Sequence, residues 1–155
     1  MSRLPDGTQT SVLLAEEAVI AAVLLDDEAY ALVADLQPGD FWNEEHQKIW
    51  GACQWLADRE QLVTVITVAH ELASRNELKE GLDEVLLQTI VGRWFTSVGI
   101  RAHADIIKAD AERRRLTKLG AEIVREANQG NLGRARELTD VGGVALSYET
   151  EEERP

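Results

Sequence analysis

Proline most constrains what this chain can become. A proline inside a helix removes one backbone donor and clashes with the preceding turn, yet only Pro5, Pro38 and Pro155 occur in 155 residues. Almost the whole length is therefore free to be helical, and the apolar spacing agrees. Val12, Ala15, Val19, Ala22 and Val23 recur at intervals of three and four, and the segment ends at the acidic turn Asp26-Asp27. Ala29, Leu32, Val33 and Leu36 predict a shorter second helix closed by Pro38-Gly39. After an Asn43 cap, His46, Ile49, Trp50, Cys53, Leu56 and Ala57 form the stripe of a third.

The stretch LVTVITVAHELA is ambiguous, because the β-branched run from Val63 to Val68 suits a strand. With no partner strand evident, a short helix starting at Thr67 is preferred, continued by Val68, Ala69 and Leu72. Leu78, Leu82, Val85, Leu86 and Ile90 predict a fifth helix, and Trp94 to Ser97 a connection with a cap. Ile100, Ala104, Ile107, Ala111, Leu116, Leu119, Ile123 and Ala127 then hold one face for about 30 residues, or about 45 Å at 1.5 Å per residue. Such a helix is too long to stay within a compact head. Gly130 supplies a left-handed C-terminal residue, Asn131 a cap, and Leu132, Ala135, Leu138 and Val141 the apolar side of a final helix. The expected architecture is all-α: a flexible 1–10, a helical head over 11–97, a helical hairpin over 98–141 and a disordered acidic tail over 142–155.

Charge follows the same division. The net charge is −12, but residues 1–100 carry 6 basic and 17 acidic groups, 101–136 carry 9 and 5, and 137–155 carry 1 and 6. An acidic head argues against sequence-independent binding to nucleic acid or an anionic membrane. Arg113-Arg114-Arg115 with Lys118 leaves a small DNA-binding regulator as the alternative reading, although a consecutive triplet spreads around a helix and reads first as a solvated face. One cysteine, Cys53, excludes an intrachain disulfide, and no apolar run approaches the ~20 residues of a membrane span. The N-terminal MSRLPDGTQTS lacks a signal-type apolar region, so a cytoplasmic location is expected.

Chemistry is sparse. There is no G-x-x-x-x-G-K-[ST] phosphate loop and no G-x-G-x-x-G turn. His46, Cys53, His70 and His103 are the candidate metal ligands, but no C-x-x-C or H-x-x-x-H pair holds them together, and core polar residues explain them better than a metal-dependent hydrolase. The pairs Glu16-Glu17, Asp26-Asp27 and Glu44-Glu45 read as solvated faces and caps. The tryptophans Trp42, Trp50, Trp55 and Trp94 read as core anchors first and interface anchors second.

The order of several pieces resembles a known family. They are Ala15-Glu16 leading through an apolar run to Leu24-Leu25-Asp26, Pro38-Gly39-Asp40-Phe41 with His46 and Ile49, Val65-Ile66-Thr67 before Leu72, and Ala104-Asp105-Ile106-Ile107 leading to Arg114. From about Ser11 to Ala127 the chain resembles the N-terminal domain of the DnaB-like replicative DNA helicases. It departs at Thr64, where the family usually has Asp, at Gly81-Leu82 in place of Gly-Gly, at Phe95-Thr96 in place of Pro-Thr, and at His103 in place of Tyr.

The resemblance implies a helical head and hairpin without catalysis of its own. Unwinding, with its ATP and Mg, belongs in the family to a C-terminal domain whose phosphate loop is missing from this sequence. It implies a homodimer or a trimer of dimers, docking of primase or a helicase loader, contact with DNA only indirectly, and no membrane. The matching hairpin positions implied to face a partner are Ile106, Ile107, Arg114, Arg115, Leu116 and Leu119.

Overall fold

A computed structural model describes residues 6–94 and 96–140. All regular structure among them is helical, apart from one isolated bridge between Lys79 and Leu82. The helices are α1 (Asp6–Leu25), α2 (Ala29–Leu32), α3 (Glu44–Asp58), α4 (Val65–Ser74), α5 (Glu84–Arg93) and α6 (Ile100–Asn128), with a 3-10 turn at Pro38–Asp40 between α2 and α3. A further helix, α7, covers 132–140. The chain divides into two compact units, which meet in sequence at Ala111 and Glu112.

The first unit is built on the predicted apolar stripes. Val19, Ile20, Phe41, Ile49, Trp50 and Leu72 expose essentially no surface. Trp50 is the central anchor. Its indole Nε1 donates to the Leu36 carbonyl at 2.9 Å, and its ring lies 5.6 Å from Tyr30 and 5.2 Å from Phe41, centroid to centroid. Of the other three tryptophans, none is fully buried.

Three expectations change for local reasons. The second helix stops at Leu32, while Val33 and Leu36 stay buried on a turn, so core contact continues where helical hydrogen bonding does not. The fourth helix begins at Val65 rather than at Thr67, with Thr64 as its cap. The Thr64 hydroxyl accepts from the Thr67 N–H at 3.1 Å and the Thr67 hydroxyl accepts from the Thr64 N–H at 2.8 Å, a reciprocal capping box. Thr and the family's Asp both cap helices through a side-chain oxygen, so this departure keeps its role. The fifth helix begins only at Glu84, capped by Asp83. Leu78 to Leu82 form a turn in which Gly81 takes φ +88° and Leu82 alone is fully buried.

Helix α1 runs from Asp6, inside the stretch expected to be flexible. Ile100, Ala104, Ile107 and Ala111 are buried, and the first compact unit extends to Ala111, within α6. In the second unit, α6 ends as the glycine implies. Gly130 adopts φ +81°, its N–H donates to the Ala127 carbonyl, and the Asn131 N–H donates to the Glu126 carbonyl at 2.9 Å, which together make a Schellman closure. The Asn131 carbonyl accepts the first bond of α7 from Ala135, while its side-chain amide donates to Glu126 at 2.8 Å. Ala135 and Leu138 are buried. Val141 and the acidic tail over 142–155 lie outside the described residues.

Candidate interaction surfaces

Two polar devices fix the head. Glu16 sits on the core stripe of α1, between Val12 and Val19, and exposes none of its surface. One carboxylate oxygen accepts from the Trp42 N–H. The other accepts from the Asn43 N–H at 3.3 Å and from Nδ1 of buried His46 at 2.7 Å. Glu16 is thus an internal anchor tying α1 to the entrance of α3, not a solvated carboxylate. Its neighbour Glu17 pairs with Arg93 of α5 at 2.8 Å.

The second device is a clasp. The Arg101 guanidinium grips both oxygens of Asp35, at 2.8 and 3.2 Å, and also donates to the Leu32 carbonyl and to Asp105. Lys108 Nζ reaches the same Asp35 at 2.6 Å. Bidentate charge-assisted geometry of this kind sets orientation, and here it sets the first turns of α6 against the segment after α2. Hydrogen bonds from Arg101 and then Lys108 hold the Asp35 carboxyl far below the usual range. Hydrogen bonds to Asp35 and then Asp105 raise the Arg101 guanidinium above its own.

Among the described residues, no group of three or more His, Cys, Asp and Glu side chains is placed to hold a metal ion. Burial pushes the Cys53 thiol up to about 12, which removes its thiolate at neutral pH. No described helix is long and apolar enough to cross a membrane.

The six partner-facing candidates separate by exposure. In the head, Ile107 is fully buried in the core and serves packing there, whereas Ile106 is 39% exposed. Ile106 lines a groove of about 410 Å³ with Leu14, Trp94 and His103, the last two with ring centroids 6.3 Å apart. In the second unit, Leu116 is 44% exposed, Arg115 is exposed, and Arg114 and Leu119 are half-buried. Val124 and Leu132, at 59% and 63% exposed, extend the apolar surface of this unit beyond the residues the sequence singled out. Arg115 pairs with Glu112, Arg125 with Glu122 and Glu126, and Arg134 with Glu137, with all three arginines on the exposed surface of this unit.

Sequence reasoning did not find the Asp35 clasp or the role of Glu16. The clasp joins residues 66 apart and leaves no local signature. Glu16 carried a signal, since it is a charged residue at a position the helical spacing assigns to the core.

Comparison with known proteins is consistent with this geometry. Residues 8–109 match the family described as the DnaB-like helicase N terminal domain. The chain is 34% identical over 113 residues to the replicative DNA helicase DnaC of Bacillus subtilis and 33% identical over 113 residues to the replicative DNA helicase DnaB of Geobacillus stearothermophilus. Each match covers 72% of this chain and 25% of the relative. The chain therefore spans about a quarter of the length of these relatives. The crystal structure of the N-terminal domain of DnaB helicase from Mycobacterium tuberculosis superposes with a TM-score of 0.76 at 30% identity, covering 82% of this chain and 95% of that one.

Proposed function

The chain belongs to the family of DnaB-like helicase N-terminal domains, and on that premise we propose that it is a non-catalytic assembly and recruitment domain acting in DNA replication. It self-associates through the hairpin of residues 98–141 and presents a surface to primase or a helicase loader. The observation that carries this reading is the exposure of Leu116, Val124 and Leu132 in the second unit, on two helices whose turn is fixed by Gly130. Self-association through this unit would remove these side chains from water, which is favourable in proportion to the apolar area buried. Family membership supports a homodimer, or a trimer of dimers, as the assembled form, with ATP and Mg chemistry belonging to a separate domain.

Ile106, Arg114, Arg115, Leu116 and Leu119 remain the residues proposed to contact partners, with Ile107 holding the helix from inside the core. Calorimetric titration of the purified chain with the primase of the same cell tests recruitment. Saturable binding is expected, weakened at least about tenfold by Arg114→Glu with Arg115→Glu. Absence of binding to primase and to the loader alike contradicts the recruitment part.

A further inference from the structure

The segment joining α3 to α4 is held more firmly than a surface loop needs. Glu60, in the left-handed region at φ 56°, closes α3: its N–H donates to the Ala57 carbonyl and the Gln61 N–H to the Leu56 carbonyl at 2.9 Å. The Thr64–Thr67 box opens α4, and the Thr67 hydroxyl also donates to the Leu62 carbonyl at 2.8 Å. A backbone fixed at both ends nevertheless presents apolar side chains to water: Leu62 is 62% exposed and Ile66 75%.

Two depressions flank this loop and share Gln61. One, of about 460 Å³, is walled by Trp55, Leu56, Ile66 and His70. The other, of about 250 Å³, is walled by Val23, Asp27, Tyr30, Glu60 and Leu62. Neither lining includes a lysine or an arginine. Arg59 is stacked on the Trp55 ring, 3.9 Å from its centroid, and donates to the Trp55 carbonyl. Asp58 adds a further carboxylate beside Tyr30, whose hydroxyl is raised first by burial and then by that charge.

We propose that this loop is a docking surface for a basic amphipathic helix of a partner protein. Apolar side chains of that helix cover Leu62 and Ile66, beside the Trp55 ring that Arg59 already covers, and one of its lysines or arginines enters the depression lined by Asp27, Tyr30 and Glu60. The carboxylates supply complementary charge and the tyrosine ring a face for the cation. Because the loop is ordered in advance, its conformational cost falls in folding rather than in binding. A second copy of this chain fits less well, since the chain is acidic overall at net −12 and Arg115, Arg125 and Arg134 already pair with carboxylates of their own unit. The proposal is independent of hairpin self-association, which uses other residues.

Fluorescence anisotropy of the full chain with a labelled leucine-lysine peptide of about 14 residues, apolar at helical spacing, tests it against a scramble of the same composition. The amphipathic peptide is expected to bind about tenfold or more tighter than the scramble. Leu62→Ser with Ile66→Ser, and separately Asp27→Asn with Glu60→Gln, are each expected to lower that affinity about tenfold, with Val85→Ser as an exposed control that leaves it unchanged. All of these positions are exposed, and unchanged melting midpoints certify the variants as folded. Equal binding of the scramble, or undiminished binding by both double variants, overturns the proposal. So does a fall in the sedimentation coefficient of the chain alone on Leu62→Ser with Ile66→Ser, because a second copy would then occupy the surface.

Discussion

The carboxylate of Glu16 and the imidazole of His46 meet at 2.7 Å, 30 residues apart in sequence, at a point where Glu16 has no contact with solvent. With the Trp42 and Asn43 N–H groups directed at the same carboxylate, one side chain of α1 satisfies three donors at the entrance of α3. Replacing it orphans all three. Glu16→Ala is expected to destabilise the fold by about 2–4 kcal/mol, since each buried donor left unpaired costs about 1–3 kcal/mol and relaxation recovers part. Glu16→Gln keeps one acceptor oxygen but turns an NH2 donor toward at least one of the three N–H groups, so it should remain destabilising while costing less than Glu16→Ala. Urea unfolding followed by circular dichroism measures both, and a cost below 1 kcal/mol for Glu16→Ala, roughly the value of one ordinary hydrogen bond, refutes the anchoring role.

The clasp on Asp35 predicts an acid-sensitive contribution. Its folded pKa is depressed by Arg101 and Lys108, so the stabilisation is fully present above the unfolded value of about 3.9 and is lost as pH falls below it toward the folded value. The partners are 44% exposed, which limits the effect at neutral pH to about 1 kcal/mol. Asp35→Asn should lower stability modestly at pH 7 and flatten its decline below about pH 4. Melting midpoints of both proteins across that range check this, and parallel pH profiles would exclude a role for the clasp.

Glu60 occupies a left-handed position that costs an L side chain about 1–2 kcal/mol and glycine almost nothing. Glu60→Gly is expected to stabilise the protein by about 0.5–1 kcal/mol after the greater flexibility of glycine in the unfolded chain is subtracted. Gly130→Ala, at φ +81°, should destabilise it by about 1 kcal/mol. Opposite signs at two equivalent Schellman positions make the pair diagnostic in one set of urea titrations.

Cys53 should be chemically silent. Its thiol is fully buried and pushed up to about 12, so a thiol reagent at pH 8 meets neither access nor thiolate. Labelling is expected to follow global unfolding in urea. Rapid native-state labelling would show that α3 opens locally.

Much of this was legible in the sequence, because helical spacing and caps are local signals. Asn43 caps α3 as its position before the apolar stripe implies, and the Gly130 turn falls where glycine follows the long stripe of α6. The start of α4 was missed because a run of β-branched residues obscures a cap that only the reciprocal Thr64–Thr67 bonds reveal. Leu82 reads as helical in the sequence because burial on a turn leaves the same apolar mark as burial on a helix face. The Asp35–Arg101 clasp was illegible, since its partners are brought together only by the packed head.

Self-association through the second unit is the central claim, and sedimentation equilibrium of the purified chain tests it most directly. At concentrations on the order of tens of micromolar, the chain is expected to sediment as a dimer or a larger even-numbered assembly. Leu116→Ser combined with Leu119→Ser is expected to shift it to monomer without loss of helical signal. A strictly monomeric wild-type chain over that range, or an assembly indifferent to both substitutions, contradicts the account.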